Sequence, residues 1–368
     1  MQVLLVFSSS QLGGAERSLS RMAFSSKEVD YQLATLDGEG PWPDWVNSQG
    51  CKPLIFGEGA FGIFGATWRL ICYVRSNPVD IIYVCGARAA FFLRFLRLLT
   101  PKTKLVHGVR WNPNSGSHLD RFFRVMERFT HSLVDAWITN SNTAKQTLVL
   151  DCGIPSEKIF LIYNGLEALP LNILSLEDRP LEVLTVANLN LRKGHSEYLQ
   201  IIHEVVKVKP DAKFVFVGRD DMGGAVQRAI EEAGLSGNVF CEGFQADVSA
   251  YYQKARLFVL PSLWGEGCPT SILEAFAHKI PVVAYGIDGI PELVTDKQDG
   301  VLINLDSSCS QKFGSVIVGL LNNIEVAKSM GNFGRLKVEN DFTVTKCADL
   351  HETCFASLVG EQVEGEYN

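Results

Sequence analysis

Residues 260–294, LPSLWGEGCPTSILEAFAHKIPVVAYGIDGIPELV, decide both the fold and the candidate site. An apolar run ends at Pro261, a glycine-rich loop follows, and a helical pattern begins near Pro269, a residue type that suits the first position of a helix. Gly265 and Gly267 let another group approach the backbone closely. Because the first N–H groups of a helix attract an anion, the segment predicts a strand followed by an anion-binding loop.

Backbone groups and two carboxylates in this segment are the candidate binding groups. We expect the N–H groups of Cys268, Thr270 and Ser271 to point at the anion. Glu266 lies in the loop, and Glu274 lies about one turn into the helix. A carboxylate does not bind phosphate, but it accepts hydrogen bonds from sugar hydroxyls. One glutamate is therefore expected to bind a ribose and the other a second sugar.

Short apolar runs alternate with helical patterns along the chain. The runs occupy residues 3–7, 81–85, 104–107, 136–139, 182–187, 213–218, 238–241, 257–261 and 281–284. Such continuous runs are typical of strands buried on both faces. Their alternation with helices predicts an α/β fold with parallel sheets.

The chain is long enough for two domains. The stretch GLEALPLNILSLEDRP at 165–180 has two prolines and no clear period, and a new strand pattern starts directly after it. We predict an N-terminal domain at 1–165, a linker at 166–180 and a C-terminal domain at 181–340. Residues 341–368 are expected to form a closing helix and a polar tail.

Composition excludes several classes of protein. The net charge of −7 argues against bulk nucleic-acid binding. The nine cysteines include no C-x-x-C pair, which indicates a reducing compartment. No apolar run reaches the roughly 18 residues of a membrane span, and the N-terminus lacks the features of a signal peptide. We therefore expect a cytoplasmic protein.

The spacing Glu266-x7-Glu274, with PS before it and EAFA, PVVA and GIPELV after it, resembles the retaining GT-B glycosyltransferases of family 4. Other segments resemble that family in the expected order: LGGAER (12–17), VHGVRW (106–111), ITNSNTAKQTL (138–148), KIFLIYNGLE (158–167), VANLNLRKGH (186–195) and EGFQADVSAYYQKARLFVLPS (242–262). The resemblance covers nearly the whole chain. It implies GT-B architecture, with two facing Rossmann-like domains, an interdomain cleft and a nucleotide-sugar donor held mainly by the C-terminal domain.

The resemblance also implies roles in the C-terminal domain. Glu274 would bind the donor's ribose, and Glu266 would hold hydroxyls of the transferred sugar. Lys193 would neutralise the leaving diphosphate, although taken alone it is more typical of a solvated surface lysine. Five residues before this lysine the family usually has an arginine, whereas this chain has Asn188. The adjacent Arg192 could supply the missing charge.

In the N-terminal domain the resemblance implies a second set of contacts. Gly13 and Gly14 would bring N–H groups to the diphosphate, although such a pair is usually only a tight turn before a helix. It is not the G-x-G-x-x-G fingerprint of a nicotinamide dehydrogenase. His107, at the end of its strand, would touch the donor sugar, although a lone histidine is usually structural. Arg110 and Trp111 would line the acceptor site.

We expect catalysis without a metal or other cofactor. The chain has no D-x-D, and Asp220 and Asp221 are adjacent, whereas a hard cation needs spaced carboxylates to bridge it to a diphosphate. Lys193 and the N-termini of helices would take the place of the cation.

A basic segment has two interpretations. Residues 88–131 hold nine arginines or lysines against two acids, Asp120 and Glu127, and apolar residues are interleaved. This pattern fits an amphipathic helix at the anionic inner face of a membrane, or a domain helix with a solvated basic face. A lipid-linked acceptor would favour the first interpretation over a free oligosaccharide acceptor.

The sequence thus predicts a retaining glycosyltransferase that moves a sugar from a nucleotide-sugar donor to a hydroxyl acceptor. By the resemblance, its setting would be cell-surface polysaccharide or lipopolysaccharide assembly. Two alternatives stay open. A nucleotide-sugar epimerase on the same fold would need no acceptor, and a catalytically degenerate nucleotide-sugar-binding protein has Asn188 as its only support.

Overall fold

The computed structural model describes residues 1–57, 62–113, 118–306 and 308–360. The chain divides into two compact units. Unit 1 comprises Met1–Glu167 together with Thr343–Asn368, and unit 2 comprises Ala168–Phe342. The last helix therefore belongs to unit 1, while the polar tail predicted at 361–368 lies outside the described residues.

Unit 1 is built on a parallel sheet. Its described strands are β1 (Gln2–Phe7), β2 (Asp30–Thr35), β3 (Leu54–Ile55), β4 (Ile81–Cys85), β5 (Lys104–Val109), β6 (Ala136–Thr139) and β7 (Ile159–Leu161). They lie in the order β3-β2-β1-β4-β5-β6-β7, and each neighbouring pair is parallel. The order reverses between β1 and β4, which is the switch point of a Rossmann-type sheet.

Helices cover both faces of this sheet. They are α1 (Gly14–Ser25), α2 (Pro41–Ser48), α3 (Gly62–Ser76), α4 (Ala87–Arg94), α5 (His118–Thr130), α6 (Asn142–Leu150) and, from the end of the chain, α14 (Val344–Val359). One core cluster joins the sheet to α3, α4, α5 and α6, and another joins it to α1, α2 and α14. Successive residues of β1 alternate between these two clusters, as the pleat of a strand requires.

Unit 2 repeats the same plan. Its described strands are β8 (Glu182–Val186), β9 (Lys213–Val217), β10 (Val239–Gly243), β11 (Leu257–Leu260), β12 (Val282–Tyr285) and β13 (Gly300–Ile303), in the order β10-β9-β8-β11-β12-β13. Its helices are α7 (His195–Val208), α8 (Ala225–Glu232), α9 (Ser249–Lys254), α10 (Thr270–Ala277), α11 (Ile290–Leu293), α12 (Cys309–Asn322) and α13 (Ile324–Asp341). Two parallel sheets with flanking helices confirm the predicted α/β class. Across the described ranges of both units, every helix is too short or too polar to cross a bilayer.

The sequence missed four of the described strands, namely β2, β3, β7 and β13. Three of these lie at sheet edges, where one side of a strand has no neighbour. An edge strand is partly solvated, so it does not carry the continuous apolar run by which the buried strands were predicted. The two-residue β3 is also too short to show any pattern.

The return of the chain to unit 1 depends on a close backbone contact. Leu166 and Thr343 form an isolated parallel bridge, and the N–H of Val344 donates to the Leu166 carbonyl at 2.8 Å. A Cβ atom on Gly165 would collide with the Thr343 carbonyl, so a larger residue would push the two segments apart. Helix α14 then packs on α1.

A buried ionic cluster joins α4 and α5 to the sheet of unit 1. Arg94 Nη2 lies 2.6 Å from Glu127 Oε1, and neither side chain has exposed surface. His107 Nδ1 lies 3.2 Å from the same oxygen, and Trp137 Nε1 donates to Oε2 at 3.3 Å. Burial alone would raise the pKa of the Glu127 carboxyl, but His107 and Arg94 lower it to about 2 from an ordinary 4.5. The carboxylate is therefore charged and compensated.

Replacing Glu127 by Gln should lower the free energy of unfolding of unit 1 by about 3–5 kcal/mol, because buried Arg94 would lose its charged partner. The loss should depend on pH. The folded pKa of about 2 is below the ordinary 4.5, so the carboxylate stabilises the fold above pH 4.5, and this contribution disappears as the pH falls towards 2. In urea unfolding, the difference between wild type and variant should shrink on acidification.

Glu325→Gln is the matched control, since Glu325 lies 3.8 Å from Lys328 and 80% of its side chain is exposed. An exposed pair contributes only about 0–1 kcal/mol, so this variant should unfold like the wild type at each pH. Equal stability of the two variants at pH 7 would contradict the compensating role of Glu127.

Candidate active site

The glycine loop of unit 2 lies between β11 and α10. Pro269 is the N-cap residue and α10 begins at Thr270. The helix therefore begins one residue after the proline near which the sequence predicts its start. The N–H groups of Gly265 and Glu266 both donate to Asp288 Oδ2, at 2.6 and 3.2 Å. Asp288 follows β12, so a carboxylate from the next loop holds the backbone of this one.

Lys193 and Glu266 form an ion pair beneath this loop. Lys193 ends a 3-10 turn, Leu191–Lys193, and Gly194 follows with φ +67. A Cβ atom on Gly194 would collide with the Pro261 carbonyl, so only glycine lets the loop after β8 approach the end of β11. This approach brings Lys193 Nζ to Glu266 Oε1, with 13% and 6% of the two side chains exposed.

The electrostatics of the pair favour an ionised Glu266, whereas burial lowers the pKa of the Lys193 ammonium group from its ordinary value, against the charge of Glu266. Burial by itself would raise the pKa of the Glu266 carboxyl, but the charges of Lys193 and Arg192 lower it below its ordinary value. A carboxylate that stays ionised in a nearly dry site accepts hydrogen bonds strongly. Such a group can bind the hydroxyls of a sugar.

Arg192 lies against the same glycine loop, whereas Asn188 does not. Arg192 Nη1 donates to the Gly265 carbonyl at 2.9 Å, and its own carbonyl accepts the N–H of Leu263 at 2.8 Å. Asn188 Oδ1 instead accepts the backbone N–H of Arg219 at 3.1 Å, which links the loop after β8 to the end of β9. The structure thus brings Arg192, and not residue 188, to the Lys193–Glu266 pair.

The second glutamate is held by a buried tyrosine. Glu274 Oε2 accepts a hydrogen bond from Tyr252 Oη at 3.0 Å, and the same hydroxyl lies 3.1 Å from the Ser271 carbonyl. Tyr252 comes from α9 and has 1% of its surface exposed. Of the remaining predicted groups, Gly267 and Cys268 are buried, while Thr270 and Ser271 are half-buried at the start of α10. The loop and helix start therefore hold both glutamates.

The adjacent aspartates serve their own loop. Asp220 accepts the N–H groups of Met222 and Gly224 at 2.8 and 2.5 Å. Asp221 pairs with Arg219, the shortest N–O distance being 2.6 Å. In the described ranges, no three His, Cys, Asp or Glu side chains form a group that could hold a metal ion. Catalysis without a metal stays a prediction.

The glycine pair of unit 1 lies where the sequence predicts it. Gly13 is the N-cap of α1 and Gly14 its first residue, after β1 has ended at Phe7. A Cβ atom on Gly13 would come 2.6 Å from Glu16 Oε2. The predicted contact of these glycines with a diphosphate stays a prediction.

The strand end predicted at His107 is wrong. Strand β5 continues to Val109, so His107 does not end the strand, and the ring belongs to the buried cluster of Glu127 with no exposed surface. Hydrogen bonding carries β5 on past the histidine, because Gly108 and Val109 still pair with β6. The contact of His107 with a donor sugar stays a prediction.

The side chains of Arg110 and Trp111 make their contacts within unit 1. Arg110 Nη1 donates to Asn164 Oδ1 at 3.3 Å, and Nη2 contacts the Tyr83 hydroxyl and lies 3.2 Å from His351 Nε2 on α14. The Trp111 ring packs on a core phenylalanine with centroids 5.4 Å apart. The arginine thus connects β5 to the last helix, and the acceptor-side roles of both residues stay predictions.

Sequence reasoning missed two residues of the unit 2 site, Asp288 and Tyr252. Neither carries a motif of its own, since their importance arises from contacts with segments more than 20 residues away. The only local signal for Asp288 is its place between glycines in YGIDGIPE, where a turn with unusual backbone angles is expected.

Comparisons with known proteins identify the family of the chain. Two family models match: one described as Glycosyltransferase Family 4 over residues 12–168, and one described as Glycosyl transferases group 1 over residues 180–323. Amylovoran biosynthesis glycosyltransferase AmsK of Erwinia amylovora is 28% identical over 207 residues, which are 54% of this chain and 50% of that protein. The chain thus matches about half the length of AmsK.

Two further relatives match over more of the chain. The UDP-Gal:alpha-D-GlcNAc-diphosphoundecaprenol alpha-1,3-galactosyltransferase of Escherichia coli is 24% identical over 303 residues, 78% of this chain and 77% of that protein. The crystal structure of Anabaena Alr3699/HepE in complex with UDP and glucose has a TM-score of 0.82 at 19% identity, covering 97% of this chain and 100% of that one. At this identity the structural likeness establishes the fold, and the two family models together match most of the sequence. The chain is therefore a GT-B glycosyltransferase of family 4.

Proposed function

We propose that this glycosyltransferase moves a sugar, with retention of its anomeric configuration, from a uridine-diphosphate sugar to a lipid-linked acceptor hydroxyl in cell-surface polysaccharide assembly. The observation that carries the proposal is the buried Lys193–Glu266 pair on a glycine loop that leads into α10 and Glu274. The choice of uridine and of a lipid carrier is supported by the names of the Escherichia coli and Anabaena relatives.

The donor would bind along the loop and the start of α10. Asp288 already accepts the N–H groups of Gly265 and Glu266, so the diphosphate would meet the backbone further along, from Gly267 to Ser271. The first turn of a helix has N–H groups without intrahelical partners, and they favour an anion. Glu274 would accept the ribose hydroxyls while Tyr252 fixes its carboxylate.

The chemical step would be driven by electrostatic stabilisation. The bond between the anomeric carbon and the phosphate oxygen breaks, and Lys193 stabilises the charge that grows on the leaving diphosphate. The acceptor oxygen forms the new bond on the same face of the sugar, and its proton passes to the leaving phosphate. Glu266 holds the sugar hydroxyls so that the anomeric carbon stays in place.

The two alternative functions differ in what they consume. An epimerase would convert the donor without any acceptor, so analysis of the products separates it from a transferase. A degenerate binding protein would show no turnover. The presence of Lys193, Glu266 and Glu274 together supports an enzyme over a degenerate protein, because the groups that the proposed reaction needs are all in place.

Thermal unfolding should reveal the donor. Uridine diphosphate and its sugars, at 100 times their dissociation constants and with EDTA present, should each stabilise the protein by about 2.7 kcal/mol. Guanosine and adenosine diphosphates should stabilise it less. Glu274→Ala should abolish the effect because the ribose hydroxyls lose their acceptor, whereas Glu232→Ala, an exposed glutamate on α8, should not. Unchanged affinity in Glu274→Ala would remove the ribose role, and no stabilisation by any nucleotide would refute the donor site.

Turnover should depend on Lys193 and not on a metal. Lys193→Ala should lower kcat by ~10²-fold or more, as expected for the loss of a group that stabilises developing charge. Lys207→Ala is the control, since this lysine on α7 is 58% exposed and pairs with Glu204. The wild-type rate should be the same with and without EDTA. A near-normal rate in Lys193→Ala would move the phosphate contact elsewhere, and loss of activity in EDTA would show that a metal is required.

A further inference from the structure

A continuous aromatic surface crosses three helices of unit 1. Ring centroids lie 5.0 Å apart between Phe64 and Phe92, 5.2 Å between Phe92 and Phe91, 5.6 Å between Phe91 and Phe95, and 6.3 Å between Phe91 and Phe122. Of these rings, Phe64, Phe95 and Phe122 are 68%, 44% and 61% exposed. The contacts join α3, the α4 region and α5, so these phenylalanines form one patch rather than scattered apolar residues.

Helix α5 extends this patch and adds positive charge. Phe122, Val125 and Phe129 are spaced by three and four residues and share one helix face, where Val125 and Phe129 are 50% and 78% exposed. Arg121 and Arg128 are exposed on the same arc of the helix. The described acid of α5, Glu127, points the other way into the buried cluster. The outward face of this helix is therefore apolar and cationic.

An exposed surface of this kind needs an explanation. Large exposed apolar patches on soluble proteins usually mark interaction sites. A second copy of the chain is disfavoured, because an isologous contact would place the cationic faces of the two copies against each other. Aromatic rings flanked by arginines instead suit the interface of a bilayer with anionic headgroups, where rings enter the headgroup region and cations meet phosphates.

We propose that the outward face of α5, together with the aromatic surface of Phe64, Phe91, Phe92, Phe95 and Phe122, docks unit 1 on an anionic lipid membrane. The inference rests on the proposed function only for its purpose, which is to bring the enzyme to a lipid-linked acceptor. The docking surface includes Phe64 on α3, which lies outside the basic segment 88–131 that the sequence analysis describes. The buried pair of Arg94 and Glu127 removes one arginine of that segment from the docking face.

Vesicle flotation tests the surface with the full chain. The wild type should float with vesicles of phosphatidylglycerol and phosphatidylcholine, bind at least tenfold more weakly to phosphatidylcholine alone, and detach as salt increases. Phe122→Ser/Phe129→Ser and Arg121→Glu/Arg128→Glu should each lower binding to the anionic vesicles at least tenfold. Phe333→Ser is the control, because this phenylalanine on α13 of unit 2 is 47% exposed and should leave binding unchanged.

Three results would overturn the docking surface. They are a wild type that stays at the bottom of the gradient with anionic vesicles, double variants that float like the wild type, and a dimer, detected by light scattering, that the variants lose. Nucleotide stabilisation measured on the same samples keeps the two proposals apart. Loss of flotation with normal stabilisation refutes only the surface, and flotation without any stabilisation refutes only the donor site.

A second, independent observation concerns the backbone of Asp288. Its φ of +47 lies in the left-handed region, which is uncommon for a residue with a side chain. Aspartate tolerates this region better than most residues. Here, however, its carboxylate does not serve its own turn alone, because Oδ2 accepts the N–H groups of Gly265 and Glu266 from the loop before α10. A glycine would fit the backbone but would leave those groups without this acceptor.

We infer that Asp288 is a positioning residue that fixes the peptide of Glu266, so that its carboxylate meets the sugar in one orientation. The Gly289 N–H lies 3.4 Å from the Glu266 carbonyl, so the same turn contacts both sides of that residue. Unfavourable backbone conformations persist where the surroundings enforce them, often at functional sites. This inference rests on the proposed sugar contact of Glu266.

Asp288→Gly tests the role against a matched change. Lys297→Gly removes a side chain at φ +64 outside this loop and should keep or raise the unfolding temperature. Asp288→Gly relieves the same strain but loses two hydrogen bonds, so its unfolding temperature should not exceed that of the wild type. Only Asp288→Gly should speed hydrogen exchange at Gly265 and Glu266 and lower kcat/KM for the donor at least tenfold. Asp288→Asn keeps an accepting oxygen, so its hydrogen exchange at Gly265 and Glu266 and its kcat/KM should both stay close to the wild-type values.

The two readouts also separate this inference from the proposed function. Faster exchange with unchanged kcat/KM would overturn the positioning role, and so would unchanged exchange in Asp288→Gly. A wild type that binds uridine nucleotides but transfers no sugar would refute the transferase proposal, and the positioning role of Asp288 would be lost with it.

Discussion

The candidate site depends on the contact between Gly194 and the Pro261 carbonyl. In a parallel sheet the loops after neighbouring strands emerge at the same edge, and β8 and β11 are neighbours here. Only a residue without Cβ lets the two loops meet at this distance. Because they meet, Lys193 at the end of one loop pairs with Glu266 in the other. A single backbone approach therefore creates the ion pair from residues 73 positions apart.

Much of the fold and part of the site could be predicted from the sequence, for a definite physical reason. Buried parallel strands carry continuous apolar runs, and a loop that binds an anion needs glycines before a helix, so both leave local patterns. The Glu266 and Glu274 positions follow such a pattern, whereas Lys193 is singled out by the resemblance to the family. The strand end predicted at His107 does not follow such a pattern, because the end of a strand is set by pairing with its neighbour, and Gly108 and Val109 can pair as well as the residues before them.

Long-range contacts explain the remaining differences between what the sequence predicts and what the structure contains. Glu127 is counted from the sequence as one of two acids in a basic segment, yet the structure buries it with Arg94 and His107. The net charge of the segment is the same, but its distribution is not. The outer face of α5 becomes more cationic than the composition implies, because the compensating carboxylate lies inside. No count over residues 88–131 could reveal which charges face outward.

The charges around the glycine loop bear on how a donor would enter. Next to the loop, Arg192 and Lys193 provide two positive charges and Glu266 and Asp288 two negative ones, so these four groups are together neutral before a diphosphate arrives, and Glu274 in α10 adds one more negative charge. A diphosphate gains little electrostatic attraction from neutral surroundings unless one of the cations there leaves its carboxylate partner. Under the proposed function, sugar hydroxyls would replace the ammonium group as partners of Glu266. Lys193 could then turn to the phosphate while the sugar hydroxyls donate hydrogen bonds to the Glu266 carboxylate and Arg192 keeps a positive charge near it, which would couple recognition of the sugar to stabilisation of the leaving group.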